Sequence, residues 1–422
     1  MTVRSMALLV LISVIFFVML RTSVGVPWSA DLRSMWLAGS FFSDVDIGTV
    51  YRPSEQLFSM QPPDAWIDSV LAEGIKTPVY PFIYPPLWAW LMSFVTPLTT
   101  MSEFGRIMGI INPCLVILSA LLAMRITAPM IPRPVFLTIS LGLASGSIVF
   151  LLPLNENQPQ ILVAFLTLLG IERTRSGAPI AGGAAMAFAA SLKLYPLVFA
   201  LVWLAAGYRS ATLSFAVFGG ALGLLSIVVA GWPMHAAYLS ELSVISKTLL
   251  MSRANFSLDP LIGVFTIPQS AQIPIDTLVT GGDTNWMVAQ KSQAFLMVSA
   301  LAQFTMLAFL LLLARRTGMR DPLLWPFVII AVSWVSPLSW LYHYLAAFLF
   351  LPALFDRLDP KVALSIVLLC VLPTNYVMFD LELMSALDSH WVALVNNAAL
   401  LLMAAAYLWL ALRHDDIRQH SG

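Results

Sequence analysis

Residues 180–209 read IAGGAAMAFAASLKLYPLVFALVWLAAGYR, an apolar run holding Lys193, a proline three positions later and no acidic residue. A lone ammonium in hydrocarbon is unfavourable by roughly 2.5–3.5 kcal/mol on insertion scales, and residues of this kind usually serve a site. The run lies between Arg175 and Arg209. Short basic loops stay on the cytoplasmic side of a membrane, so the chain must go out and return within this segment. Each limb then has about 15 residues, or about 22 Å of helix, against a hydrocarbon thickness of about 30 Å. The turn carrying Lys193 is therefore expected below the outer surface, at a depth where non-helical backbone is tolerated only around a protein-enclosed or watery cavity.

Two further segments, 134–172 and 322–356, also begin and end at basic residues and must form hairpins. The tips of the three read LPLNENQPQ (152–160), SLKLYP (191–196) and VSPLSWLYHY (335–344), each polar and each with a proline. Lys193 is thus expected to have polar company at the same depth.

The whole chain is of the same character. Of its 422 residues 59% are hydrophobic and 10% charged, with a mean hydropathy of +0.86, which excludes a water-soluble globular class. The formal net charge is zero, which argues against nucleic acid as a partner. Cys114 and Cys370 lie in apolar runs and support neither a disulfide framework nor a thiolate metal site. The N-terminal MTVRSMALLVLISVIFFVMLR reads as an uncleaved anchor. Arg4, Arg125, Arg133, Arg173, Arg175, Arg209, Arg315, Arg316, Arg320, Arg357, Lys361, Arg413 and Arg418 all fall between or beside apolar runs, and the rule for short loops puts them in the cytoplasm. The expected fold is an all-α polytopic membrane protein, one integral membrane domain over 1–422. It has about 12 transmembrane helices, both termini inside and two long outer loops, 25–83 and 231–292. FIYPPLWAWLMSFVTPL is expected to dip into the outer leaflet without crossing it.

The first outer loop opens with apolar residues at helical spacing from Trp28 to Phe42, read as an amphipathic helix lying on the membrane with Asp31 at its start. An acidic residue there also suits the helix dipole. The Asp44-Val45-Asp46 triplet imitates a metal-holding Asp-x-Asp, but no nucleotide-binding domain or Gly-rich loop accompanies it, and it reads as a loop turn. His343 has no second histidine at ligand spacing and is expected to hydrogen-bond within the cavity. SRANFSLDPL, with Arg253, Asn255 and Asp259, reads alone as an ordinary polar loop.

Taken in order, these elements resemble glycosyltransferase family 87, the polyprenyl-phosphate-mannose-dependent mannosyltransferases of the GT-C membrane class. The resemblance runs from about Trp28 to the last span. Its elements are the acidic first outer loop DLRSMWLAGSFFSDVDIGTVY, YPPL at 84–87 and NQPQ at 157–160 where the family has Gly-Gln-x-Asn. LKLYP follows, then NFSL at 255–258 for Asn-Gln-Ser-Leu and SPLSWLYH at 336–343. Asn157 stands for the glycine, Gln160 for the asparagine and Phe256 for the glutamine, departures expected to change the contacts that these elements make to sugar or phosphate.

The resemblance implies a GT-C fold and transfer of a hexose, mannose in the family, from a polyprenyl-phosphate donor to a hydroxyl of a lipid or glycan acceptor. Transfer would occur with inversion, on the extracytoplasmic face of the cell membrane, among membrane lipids and without cofactor or metal. It implies Asp31 as the base. Lys193 is the cation for the leaving phosphate, with His343, Arg253, Asn157, Gln158, Asn255 and Tyr84 as further donor-binding candidates. A lipid flippase or transporter is the alternative, since it too could keep an intramembrane lysine, but it would need polar access from both faces.

Overall fold

The computed structural model describes residues 3–23, 30–43, 46–52, 62–72, 79–277, 282–375 and 389–420. The chain is overwhelmingly helical. It begins with α1 (Val3–Ser23), α2 (Ala30–Ser40), α3 (Asp64–Ala72), α4 (Pro86–Val95) and α5 (Met101–Thr127). Then come α6 (Arg133–Gly146), α7 (Ile148–Asn155), α8 (Gln160–Arg175), α9 (Pro179–Leu192), α10 (Leu197–Ala206) and α11 (Arg209–Lys247). A small sheet follows, with β1 (Thr248–Met251), the helix α12 (Leu258–Thr266), β2 (Ile273–Thr277) and β3 (Gly282–Gln290). The chain continues through α13 (Gln293–Thr317), α14 (Leu324–Trp334), a single turn α15 (Leu345–Phe348), α16 (Pro360–Val371) and α17 (Ser389–His420).

Among the described residues five helices are long and apolar enough to cross a membrane, by length and composition: Val3–Thr22, Met101–Thr127, Arg209–Lys247, Gln293–Thr317 and His390–Arg413. Large apolar side chains on their outer faces, such as Val217, Val228, Leu301 and Phe304, are exposed. Hydrocarbon can cover such a face where water would not. The remaining apolar helices are shorter and come in broken pairs, as the three hairpins require. Helix α4 has ten residues, about 15 Å of helix, half of a hydrocarbon core.

Each break has a chemical cause. After α9, Lys193 is in extended conformation, and Pro196 caps a new helix that it can start without an N–H to donate. Between α7 and α8 Pro159 precedes the restart, and Asn157 adopts a left-handed conformation with φ 45°. Ser147, extended between α6 and α7, caps the Val149 N–H and bonds Thr374.

Small residues bring the inner helices together. A Cβ on Gly183 of α9 would lie 2.5 Å from the Ala211 carbonyl oxygen of α11, and one on Gly182 would lie 2.2 Å from Thr174 Oγ1 of α8. Close backbone approach of this kind drives helix association where lipid offers no hydrophobic gain. Helix α11, 39 residues long, bends at Gly231 (φ 71°, ψ 158°) ahead of Pro233, and His235 Nδ1 bonds the Gly231 carbonyl at 2.8 Å. Glycine is the residue that takes this positive φ without strain.

The basic residues gather at the ends of helices away from the hairpin tips. Glu172 pairs with Arg125 and Arg173. Arg175 Nη1 donates to the carbonyls of Met319 and Arg320, and Arg357 pairs with Asp321.

Two expectations change. Helix α2 forms where the apolar spacing put it, but it does not lie on the surface. Ala30, Leu32 to Ala38 and Gly39 are all buried, and Gly39 sits so close to Met92 of α4 that a Cβ would come within 2.4 Å of it. Its Arg33 and Ser34 are buried with the apolar residues, so the helix is packed inside the protein from Leu32 to Gly39. The long segment between α11 and α13 also contains a three-stranded antiparallel sheet in the order β1-β3-β2, with Thr248 opposite Gln290. Lys291 follows it, pairing with Asp259 and donating to the Ser246 carbonyl at 2.8 Å, while Ser299 Oγ donates to Asp259 at 2.8 Å. These bonds tie the sheet to α12 and α13.

Candidate functional site

The three hairpin tips meet around one cavity of about 430 Å³, a size usual for small-molecule sites. Glu156 and Gln158 line it from the first tip, Lys193 and Tyr195 from the second, Tyr342 and His343 from the third. Asp31 of α2 and Tyr84 close one side; Tyr238 of α11 and Trp286 of β3 close the rest.

Gln158 is the knot of this arrangement. Its Oε1 accepts from the Tyr84 hydroxyl at 2.7 Å, its Nε2 donates to the Tyr342 hydroxyl at 3.1 Å, and its side chain also bonds Asp31. The Tyr51 hydroxyl in turn donates to the Tyr84 carbonyl at 2.5 Å. Three separate stretches of chain are thereby fixed to one amide, and Tyr51 adds a fourth through Tyr84.

Glu156 sets the position of Asp31. Its carboxylate accepts from the Ala30 N–H at 2.9 Å and from the Asp31 N–H, and so caps the first turn of α2. A negative charge there satisfies donors that a helix start leaves unpaired. Burial, and then the Glu156 carboxylate, push the Asp31 carboxyl up to about 7, while Lys193 and the bond from Gln158 act in the opposite sense. A carboxylate of that basicity can take a proton near neutrality.

Lys193 forms no ion pair among the described residues. Its ammonium lies instead over the rings of Tyr342 and Tyr84, 5.1 and 5.8 Å from their centroids. Aromatic faces hold a cation without neutralising it. His343 Nδ1 lies 3.0 Å from the Trp340 carbonyl, which fixes that nitrogen as the donor, and its ring packs on Tyr342 and edge-on to Tyr195. The neutral ring then presents Nε2 as an acceptor.

Asp31, Lys193, His343, Gln158 and Tyr84 are thus brought together, and three other candidates are not. Asn157 is buried behind the tip, accepting from Asn112 Nδ2 at 3.0 Å. Its left-handed backbone explains the residue: this conformation favours glycine, and asparagine is among the side chains that tolerate it best. Asn255 is buried and structural. Its Nδ2 donates to the Leu250 carbonyl at 2.8 Å, and its Oδ1 accepts from the N–H groups of Ser257 and Ser339. Arg253 is half-buried outside the lining, and its carbonyl accepts from Asn396. Phe256 is also buried away from the cavity, whereas Gln160 Nε2 donates to the Tyr195 hydroxyl at 2.7 Å. Asp46 caps the short turn Ile47–Thr49 through Gly48 N–H; Asp44 lies outside the described residues.

Glu156, Tyr80, Tyr238 and Tyr342 were not singled out in the sequence. Only Glu156 carried a usable signal, as a carboxylate inside a recessed polar tip.

A buried site in a helical membrane bundle, with a basic carboxylate and a cation facing one cavity, suits a membrane enzyme acting on an anionic substrate. The model of glycosyltransferase family 87 matches residues 82–335, more than half of the chain, and the chain belongs to that family. It is a membrane glycosyltransferase. The matched span contains Tyr84, the 152–160 tip and Lys193; Asp31 and His343 lie outside it and reach the site through the fold. No curated protein matches the chain.

Proposed function

We propose that this protein transfers a hexose, mannose by family resemblance, from a polyprenyl-phosphate donor to a hydroxyl of a lipid or glycan acceptor on the extracytoplasmic face of the cell membrane. The observation that carries the reading is Lys193, held over two tyrosine rings with no ion pair among the described residues, in the cavity that also contains the basic carboxylate of Asp31. The ammonium is placed to meet a phosphate whose charge grows as it leaves.

In this reading the acceptor oxygen attacks the anomeric carbon from the face opposite the phosphate. The bond from that carbon to the phosphate oxygen breaks, its electron pair leaves with polyprenyl phosphate, and Asp31 takes the hydroxyl proton. The product has inverted configuration. Lys193 neutralises the departing phosphate, and Nε2 of His343 accepts from a sugar hydroxyl. Gln158 holds Asp31, and Glu156 positions it and raises its basicity. The proposed topology is the one expected from the basic residues: twelve crossings, both termini in the cytoplasm and the tips toward the outside.

Topology is tested with single cysteines in a background lacking Cys114 and Cys370. A cysteine at Gln269 should react with an impermeant thiol reagent in intact cells, and cysteines at Ser176 and Arg316 should react only after lysis. Labelling at Ser176 from outside would sink the orientation. Asp31→Asn is nearly isosteric but far less basic, and should lower turnover by about 10² or more while donor binding survives. Full turnover by folded Asp31→Asn protein would remove Asp31 as the base.

Because the base works deprotonated, the rate should rise as pH increases through about 7 and level off above it. Glu156→Gln removes the charge that raises Asp31, so the rising limb of the profile should move to lower pH. An unmoved limb in an active Glu156→Gln variant would contradict the assignment.

A further inference from the structure

A second cavity, of about 420 Å³, lies between the α9–α10 hairpin and α11, and the transferase site does not account for it. Its walls are Ala187 and Ala190 of α9, Leu197 of α10, and Gly220, Gly223 and Ile227 of α11. It touches the catalytic cavity, because Leu194 and Tyr238 line both. Leu194 is the residue after Lys193.

The side chains of Ser191, Ser226 and His235 along this groove are spent on the protein itself, and most of the remaining lining is apolar. Ser226 Oγ and His235 Nε2 bond at 2.8 Å, His235 Nδ1 reaches the Gly231 carbonyl, and Ser191 Oγ donates to the Phe188 carbonyl at 2.8 Å. What remains for an occupant is mainly hydrocarbon, with Trp232 and Tyr238 at the margins. The glycines are informative in a separate way. Gly182 and Gly183 are needed because neighbouring backbone touches them, but a Cβ on Gly220 or Gly223 would meet nothing within 4 Å. Helix packing does not require glycine at either position; the space beside them is the groove. Leu194, Leu197, Ile227 and Leu239 are among the lining residues left exposed, so the groove is open toward lipid.

We infer that this groove holds the isoprenoid chain of the donor, beginning at Leu194 where the phosphate would lie beside Lys193 and running along Gly220 and Gly223 of α11. The inference rests on the polyprenyl-phosphate reading and adds to it where the chain goes. A lipid whose charged end enters the catalytic cavity must lead its tail out through an apolar wall, and this groove shares the Leu194 and Tyr238 wall with that cavity next to the cation. Each buried methylene favours the bound state by about 0.8 kcal/mol, so groove contact should make affinity depend on chain length.

The test compares a citronellyl-phosphate sugar with a long polyprenyl-phosphate sugar. Gly220→Leu and Gly223→Leu should each raise KM for the long donor about tenfold or more, the loss expected when a couple of buried methylenes are displaced. Their kcat/KM for the short donor should stay within about twofold of wild type, as should both values in Gly142→Leu, whose added side chain also meets open space. Because a leucine variant could fold poorly, the wild-type protein gives a second readout. Long-chain polyprenyl phosphate carrying a diazirine on its first isoprene unit should label residues 194–197 or 219–227. Unchanged chain-length dependence in folded variants, or labelling only elsewhere, would overturn the groove while leaving the transferase reading intact. No transfer from either donor by wild type would overturn that reading and the groove with it.

Discussion

One buried amide determines how the rest can be arranged. Gln158 accepts from Tyr84, donates to Tyr342 and bonds Asp31, and these partners come from segments far apart in the chain. In hydrocarbon an unsatisfied polar group is unfavourable by several kcal/mol, so the four groups stabilise one another only when all are present. The hairpins cannot settle independently. A shift of one tip would strand a tyrosine hydroxyl or the amide itself in an apolar environment, and the cavity is the space these bonds enclose.

Short limbs create the need for that junction, and small residues make it reachable. Gly182 and Gly183 let α8, α9 and α11 approach until backbone meets backbone, so the tips converge and do not splay. The basic residues bind the opposite helix ends through Glu172 and Asp321. Glu156 then joins α2 to the tips by capping it, and a helix that reads as amphipathic is buried from Leu32 to Gly39. Its polar residues Arg33 and Ser34 meet the protein interior and not lipid headgroups.

Much of this was legible because membranes impose lengths and charges on a sequence. Lys193 stood out against an apolar run, the limb lengths put the three tips at one depth, and Asp31 lay at a helix start; the structure gathers all of these around one cavity. What was not legible depends on contacts across the fold. Asn255 and Asn157 are polar residues in motif positions, and their type alone does not separate a ligand contact from a backbone brace. Arg253 belongs to a polar loop whose carbonyls, not only its side chains, are used. The sheet escaped notice because β1 has four residues, too few for alternation to declare itself, and the nine of β3, GDTNWMVAQ, do not alternate apolar with polar. Glu156 acts through the first turn of a helix that is 126 positions away in sequence, a relation no local pattern reveals.

The account turns on Lys193 as the partner of the proposed donor's phosphate, and binding of the lipid product of the proposed reaction isolates that interaction from chemistry. Polyprenyl phosphate and the neutral polyprenol differ only in the phosphate, so their affinities for purified wild-type and Lys193→Met protein separate charge from chain. A charge-assisted contact contributes about 1.5–3 kcal/mol, or roughly 10- to 100-fold. The account predicts that Lys193→Met weakens polyprenyl phosphate by that factor and leaves polyprenol unchanged. Equal affinity of wild type and folded variant for polyprenyl phosphate would contradict it.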